Sequence, residues 1–118
     1  MDLPEFFDNF DQSREIFNYL LERISQYGNI ELRVTKSQIA FIKDKPFAWV
    51  WIPERYLKRR NLAPLVLTMV FPYKHPSPRW KEIVEPRPDS FTHHLELHTI
   101  ADIDSEVERW LMLSMTDE

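Results

Sequence analysis

The spacing of apolar residues changes twice along this chain of 118 residues. Ile16, Leu20 and Ile24 recur at intervals of four near the start, and Val107 and Leu111 repeat that interval near the end. Between them, apolar and polar residues alternate in short runs. An interval of three to four residues indicates a helix with one apolar face, whereas alternation indicates a strand. The pattern therefore predicts helices towards both ends of the chain and a sheet between them.

Two segments have helix character and five have strand character. We predict a first helix over residues 12–27, capped by Asp11 or Ser13, and a second helix capped by Asp102. Residues 72–88 contain five prolines and are predicted to form a long irregular loop. The strand-like runs are residues 30–35, 38–41, 46–52, 65–71 and 91–98.

Short connections between these runs constrain the sheet. Residues 43–46 have the composition of a tight turn, and hairpins of this kind join antiparallel neighbours. Two amphipathic helices at the ends of the chain suit one face of such a sheet. We therefore expect an α+β fold, in which an N-terminal and a C-terminal helix pack on one face of an antiparallel sheet of about five strands. This two-layer sandwich is expected to be a single domain over residues 1–118.

Composition narrows the possible functions. The chain has no cysteine and Gly28 is its only glycine, which excludes disulfides, thiolate zinc sites, cysteine nucleophiles and glycine-rich phosphate loops. The first residues are acidic and lack an apolar run of signal length, so we expect a cytoplasmic protein. No run approaches the length needed to cross a bilayer, and no membrane association is expected. No cofactor is predicted.

Charge is distributed unevenly along the chain. Residues 33–87 contain 12 basic and 4 acidic residues, a balance of +8. The flanking segments contain 3 basic and 15 acidic residues, a balance of −12. This asymmetry favours an anionic partner for the middle segment. The alternative explanation is that acidic residues simply accumulate in the first turns of the two helices.

The strand over residues 91–98 contains the densest group of polar side chains. Alternation places His93 on one face with two leucines, and His94 on the other face with Glu96 and His98. His94 and His98 would lie about 13 Å apart on a regular strand, so no metal site is predicted. The second face is either a solvated histidine surface or a polar binding site. His93, on the core side, needs a hydrogen-bond partner.

The strand over residues 46–52 is rich in aromatic residues. Alternation predicts that Phe47, Trp49 and Trp51 share one face. If the helices cover that face, the three rings belong to the core. If the face is open, the two tryptophans can stack on bases or on another planar ligand.

Two cations stand out as candidates for contact with an anion. Lys36 lies among small hydroxyl residues between two strands, where it either holds an anion or is solvated in an ordinary turn. Arg79 flanks Trp80 in the proline-rich loop, and its guanidinium suits bidentate capture of phosphate or carboxylate. The alternative for Arg79 is a surface loop that Trp80 anchors. A further basic cluster covers residues 55–60.

Four segments also carry a family resemblance. They are residues 34–41 (VTKSQIAF), 47–51 (FAWVW), 80–88 (WKEIVEPRP) and 92–94 (THH). Through them the chain resembles a small, mostly bacterial family catalogued as a domain of unknown function. Related domains also occur in longer proteins labelled predicted transport proteins. The resemblance implies a single cytoplasmic domain of bacterial type. It implies no activity, substrate or cofactor, so it assigns no site residue.

Three functions are compatible with these observations. The first is a small non-catalytic module that binds an anionic ligand, a nucleotide or nucleic acid, through Lys36, Trp49, Trp51, Arg79 and His94. The second is a small enzyme that uses Lys36, Arg79 and His93 or His94 for acid–base chemistry and charge stabilisation. The third is a homodimeric or protein-interaction module. Convergence of these residues on one pocket would favour the first two, and scatter would favour the third.

Overall fold

The computed structural model describes residues 1–116, which form helices at both ends and a six-stranded sheet. The α-helices are α1 (Leu3–Phe6), α2 (Asp11–Ile24) and α3 (Ser105–Thr116). The strands are β1 (Glu31–Val34), β2 (Ile39–Lys43), β3 (Lys45–Trp51), β4 (Leu65–Phe71), β5 (Glu82–Arg87) and β6 (Ser90–Leu97). Single 3-10 turns cover Ser25–Tyr27, Pro53–Arg55 and Ile100–Asp102. The α+β class with an antiparallel sheet is confirmed, but the described sheet has six strands, one more than the sequence predicted.

The strands lie in the order β1-β2-β3-β4-β6-β5, and every neighbouring pair is antiparallel. The first four strands follow one another as a meander. The last two form a hairpin, and β6 joins the meander by pairing with β4 from Leu65 opposite Leu97 to Phe71 opposite Phe91. The two edges of the sheet are therefore β1 and β5.

The sixth strand, β5, lies inside the segment that was predicted to be an irregular loop. It pairs with β6 at Glu82, Ile83 and Val84, and the register then shifts before Arg87. Pro86 lies in this shifted stretch, at the edge of the sheet. A proline is tolerated there because an edge strand leaves half of its N–H groups without a strand partner. The prolines of this segment therefore do not exclude a strand.

Both long helices pack on one face of the sheet. In β4 the residues Leu65, Leu67, Met69 and Phe71 are buried in a core that also contains the apolar stripes of α2 and α3. The two helices contact each other, and both contact β4. The opposite surface of the sheet carries the alternate residues of each strand, and we call it the open face. Phe6 and Phe7, which precede α2, are also buried in the core.

The helix caps differ from those predicted. Helix α2 has no side-chain cap, and Ser13 instead donates a hydrogen bond to the carbonyl oxygen of Pro64 at 2.6 Å. Helix α3 is capped by Asp104, whose Oδ1 accepts from the N–H of Val107 at 3.0 Å. Asp102 belongs to the preceding 3-10 turn, where it forms a capping box with Thr99. A carboxylate two residues further along the chain thus replaces Asp102 as the cap.

A bulge in β3 separates the aromatic residues that were predicted to share a face. Phe41 pairs with Ala48 while Ile42 pairs with Pro46, which leaves Phe47 as an extra residue. The extra residue disrupts the alternation of side chains. Phe47 is consequently buried in the core, with its ring 6.4 Å from that of Phe41. Trp49 and Trp51 lie on the open face, so the shared face predicted for all three rings was wrong for Phe47.

No helix within residues 1–116 combines the length and the apolar character that a membrane span requires.

Candidate functional site

Thr68 lies at the centre of the open face, opposite Trp49 of β3 and His94 of β6. The Nε1–H of Trp51 donates to Thr68 Oγ1 at 3.2 Å, and Nδ1 of His94 lies 2.8 Å from the same oxygen. The rings of Trp51 and His94 meet edge to face with their centroids 6.1 Å apart. Thr68 is almost fully buried beneath them. These hydrogen bonds fix the orientation of one indole and one imidazole on the open face.

The surroundings of His94 favour its neutral form. Burial lowers its pKa, and the carboxylate of Glu82 on the adjacent strand offsets only part of that effect by raising it. Its Nδ1 contacts Thr68. Among the residues that the structure describes, Nε2 of His94 has no hydrogen-bond partner. A neutral imidazole with one occupied nitrogen keeps the other available to a ligand.

A cavity of about 380 Å³ opens beside these side chains, and we call it the Trp51 cavity. Its walls come from β3, from the two strands at the β5 edge and from the segment that follows β3. Its polar and aromatic lining consists of Trp51, Arg59, Lys81, Glu82, His94 and Glu96. Clefts of 300–1,000 Å³ with a few converging polar groups are typical of small-molecule sites.

The charged groups of the Trp51 cavity are balanced. Arg59 and Lys81 are exposed, and the backbone N–H of Lys81 donates to the carbonyl oxygen of His94 at 2.8 Å. Glu82 is exposed, and Glu96 is partly buried. Two cations and two carboxylates therefore line one cavity. The anionic group of a ligand can bind the cations, and its hydrogen-bond donors can bind the carboxylates.

Lys36 lies next to this cavity without lining it. Its carbonyl oxygen accepts hydrogen bonds from Arg55 Nη1 at 3.3 Å and from the hydroxyl of Tyr56 at 3.5 Å. The ring of Tyr56 is in turn 6.4 Å from that of Trp51. The turn that carries Lys36 is closed by Thr35, and the Lys36 side chain is exposed. Arg55 faces inward against Phe6, which separates it from the exposed part of the basic cluster.

Trp49 lines a second cavity, of about 780 Å³, which we call the Trp49 cavity. It lies at the end of the sheet, where Val70 and Thr92 of the open face meet the residues of the β5–β6 turn, and it also reaches Ser114 of α3. Arg87 lines it at the rim. The two predicted stacking residues thus lie in neighbouring cavities and not in one.

Arg79 lies on the opposite side of the sheet from these cavities. Its guanidinium contacts Asp104 at 3.0 Å and Glu106 at 2.8 Å, and it donates to the carbonyl oxygen of Asp102 at 3.0 Å. It also lies over the ring of Trp110 at 5.5 Å. The structure therefore uses Arg79 to fasten the segment after β4 to the start of α3, and Arg79 does not converge with Lys36, Trp51 and His94.

His93 is fully buried on the helix side of β6, as alternation predicted. Its Nε2 accepts from the backbone N–H of His75 at 3.0 Å, and its Nδ1 lies 2.9 Å from the carbonyl oxygen of Phe91. The first contact requires a lone pair on Nε2, so Nδ1 carries the proton. The Nδ1–H then donates a hydrogen bond to the carbonyl oxygen of Phe91. Burial is the main cause that lowers the pKa of His93. The two histidines of the enzyme hypothesis therefore lie on opposite faces of the sheet.

Sequence reasoning missed several residues that build the Trp51 cavity. Thr68 is the only polar residue in the run LVLTMVF, and that isolation was a usable signal. Arg59 and Lys81 were noted only as members of larger basic groups. In residues 1–116 there is no group of three or more His, Asp or Glu side chains arranged to hold a metal ion.

Together these features define a small α+β domain with a polar and aromatic candidate ligand site on the open face of its sheet. The chain belongs to the family described as Domain of unknown function (DUF5655), whose model matches residues 5–117. This confirms the resemblance to a family without an assigned function. No curated protein and no solved structure gives a significant match to the chain.

Proposed function

We propose that this protein is a small non-catalytic binding module whose Trp51 cavity accepts the planar ring of an anionic ligand, a nucleotide or a nucleic acid. The observation that carries the proposal is the hydrogen-bonded group of Trp51, Thr68 and His94 beside the cations Arg59 and Lys81. An indole held in one orientation offers a stacking surface that loses little conformational entropy when a ring binds.

The balance of charges favours a nucleotide over a simple anion. Glu82 and Glu96 would repel phosphate inside the cavity, but a carboxylate accepts hydrogen bonds from the exocyclic amino group of a base such as cytosine. Arg59 and Lys81, with Lys36 at the rim, attract the phosphate to the outside of the cavity. A ligand that joins an amino-bearing ring to a phosphate therefore matches both sets of groups.

Binding is favoured over catalysis by the positions of the candidate catalytic groups. Arg79 and His93 lie on the helix side of the sheet and already make hydrogen bonds there. Of the residues in the enzyme hypothesis, only Lys36 and His94 lie near the Trp51 cavity.

The test is titration with cytidine and adenosine monophosphates at low salt, followed by thermal shift and tryptophan fluorescence. Ligand binding to the folded state raises the melting temperature, and the stabilisation grows with the logarithm of the ligand concentration once that concentration exceeds Kd. Trp51→Leu should weaken binding about five- to 150-fold, since stacking contributes about 1–3 kcal/mol per base. Trp49→Leu is the matched control, because it removes an indole from the same face of the same strand but outside the cavity.

The proposal fails if no nucleotide stabilises the protein at low salt, or if Trp51→Leu and Trp49→Leu weaken mononucleotide binding equally. The protein-interaction hypothesis would then take its place, since the exposed apolar side chains Val70 and Val84 also lie on the open face. Arg79→Lys is expected to leave nucleotide affinity unchanged, because Arg79 lies on the other side of the sheet.

A further inference from the structure

The Trp49 and Trp51 cavities are neighbours along one strand. Trp49 and Trp51 are separated by a single residue of β3 and lie on the same face, so their backbones are about 7 Å apart. Thr68 lies between the two cavities, with Val70 on the Trp49 side and Val66 on the Trp51 side. The open face therefore has two adjoining aromatic surfaces in a row parallel to the strands.

This spacing is about twice the ~3.4 Å that separates stacked bases in one strand of a duplex. Two consecutive bases can each meet an indole only if they are pulled apart from each other. Bases in a duplex are stacked and paired, so their faces are not accessible to a protein side chain. A single strand has no such restriction, and successive aromatic side chains are the usual stacking surfaces for single strands.

Three cations line the two cavities of the open face. Arg59 and Lys81 line the Trp51 cavity, Arg87 lines the Trp49 cavity, and all three are exposed. The two carboxylates that also line the Trp51 cavity can contact a base edge, while the cations contact the backbone between bases. This arrangement complements a chain in which planar rings alternate with phosphates.

We propose that the open face binds single-stranded nucleic acid, with one base stacked on Trp49 and the adjacent base stacked on Trp51. The phosphates of the bound strand face outward, towards Arg59, Lys81 and Arg87. The inference rests on the proposed function of the Trp51 cavity and extends it from one nucleotide to a chain of at least two.

The experiment compares deoxycytidine monophosphate with the deoxycytidine dinucleotide at low salt, by calorimetric titration. A second stacked base should tighten binding about five- to 150-fold. Trp49→Leu should abolish this gain, so that the variant binds the dinucleotide no more tightly than it binds the mononucleotide. Tyr73→Leu is the matched control: Tyr73 is an exposed aromatic residue that lines neither cavity, so the gain should survive its loss.

Three results would overturn the inference while leaving the proposed function intact: a dinucleotide that binds no tighter than the mononucleotide, a gain that survives Trp49→Leu, or equal affinity for a duplex hairpin and a single strand. Failure of mononucleotide and dinucleotide alike would overturn both. Circular dichroism of the free variants checks their folding. Trp49→Phe is the second variant, and it should keep part of the gain because it keeps a ring.

Discussion

At the scale of single residues, the neutrality of His93 is a requirement of the fold. The backbone N–H of His75 points at Nε2, so a proton on that nitrogen would replace a hydrogen bond with a clash between two donors. Burial lowers the pKa of His93 below its ordinary value of 6.5, and burial also lowers that of His94. The unfolded chain therefore binds more protons than the folded chain just below pH 6.5.

We expect the free energy of unfolding to be highest above that pH and to fall as the pH decreases through the folded-state pKa values of the two histidines. Urea titration at about pH 7.5 and about pH 5 measures the difference. Both pH values lie above 4.5, the ordinary pKa of Glu108. Arg23 and Tyr27 lower the pKa of Glu108 further, so the stability that its carboxylate contributes is lost only at lower pH. His93→Gln should show a smaller decrease, and an unchanged decrease would contradict this role.

The alternation of side chains predicted the faces of His93 and His94 correctly, because β6 is regular from end to end. The same rule failed for Phe47, since a bulge inserts a residue without a recognisable sequence signal. The partners of Arg79 were equally hidden. Asp104 and Glu106 lie 25 and 27 residues further along the chain, and no local pattern connects them with Arg79.

At the scale of elements, α3 is anchored by Trp110. Its indole stacks on that of Trp80 with centroids 4.5 Å apart, and the ring of His75 meets its face at 5.0 Å. Trp110→Ala is expected to lower the free energy of unfolding by about 3–5 kcal/mol, by loss of buried area and creation of a cavity. Leu113→Ala, at a largely exposed position of the same helix, should cost less than about 1 kcal/mol by denaturant titration.

An equal loss for the two variants would show that the apolar stripe of α3 has been assigned to the wrong side.

The apolar stripe of α3 was predictable from the four-residue interval in the sequence. The strand β5 was not, because the energetic cost of a proline depends on whether the strand lies at an edge or in the middle of a sheet, and strand order is a tertiary property. The Trp51 cavity was hidden for a similar reason, since it needs strands that are adjacent only after β6 inserts between β4 and β5.

At the scale of the whole molecule, the division of charge has a functional meaning under the proposals above. The flanking segments that carry a balance of −12 contain both long helices, whereas Arg59, Lys81 and Arg87 of the middle segment lie around the open face. A single strand that approaches the open face meets these three cations together with the carboxylates Glu82 and Glu96, whereas one that approaches the helices meets segments in which acidic residues predominate. The field of the protein thus favours one side for binding.

We therefore expect the logarithm of affinity for a single-stranded oligonucleotide to fall linearly with the logarithm of salt concentration, by about 0.7 per phosphate contacted. Replacement of both Arg59 and Lys81 by alanine should make this slope less steep by about 1.4, because each lost phosphate contact removes about 0.7. Arg14→Ala on α2 removes an exposed cation from the helix side and should leave the slope unchanged. Equal slopes for all variants would show that the cavity cations do not contact phosphate.

The edges of the sheet limit how the molecule can associate. Strand β1 has only four residues, and its open-face side chains Glu31 and Arg33 are charged and exposed. Strand β5 places Pro86 and a shifted register at the other edge. Short, charged or proline-interrupted edges resist the addition of a further strand from another chain, which is the first step of sheet-mediated aggregation. The two edges of this sheet therefore disfavour the joining of copies of the domain into a continuous sheet.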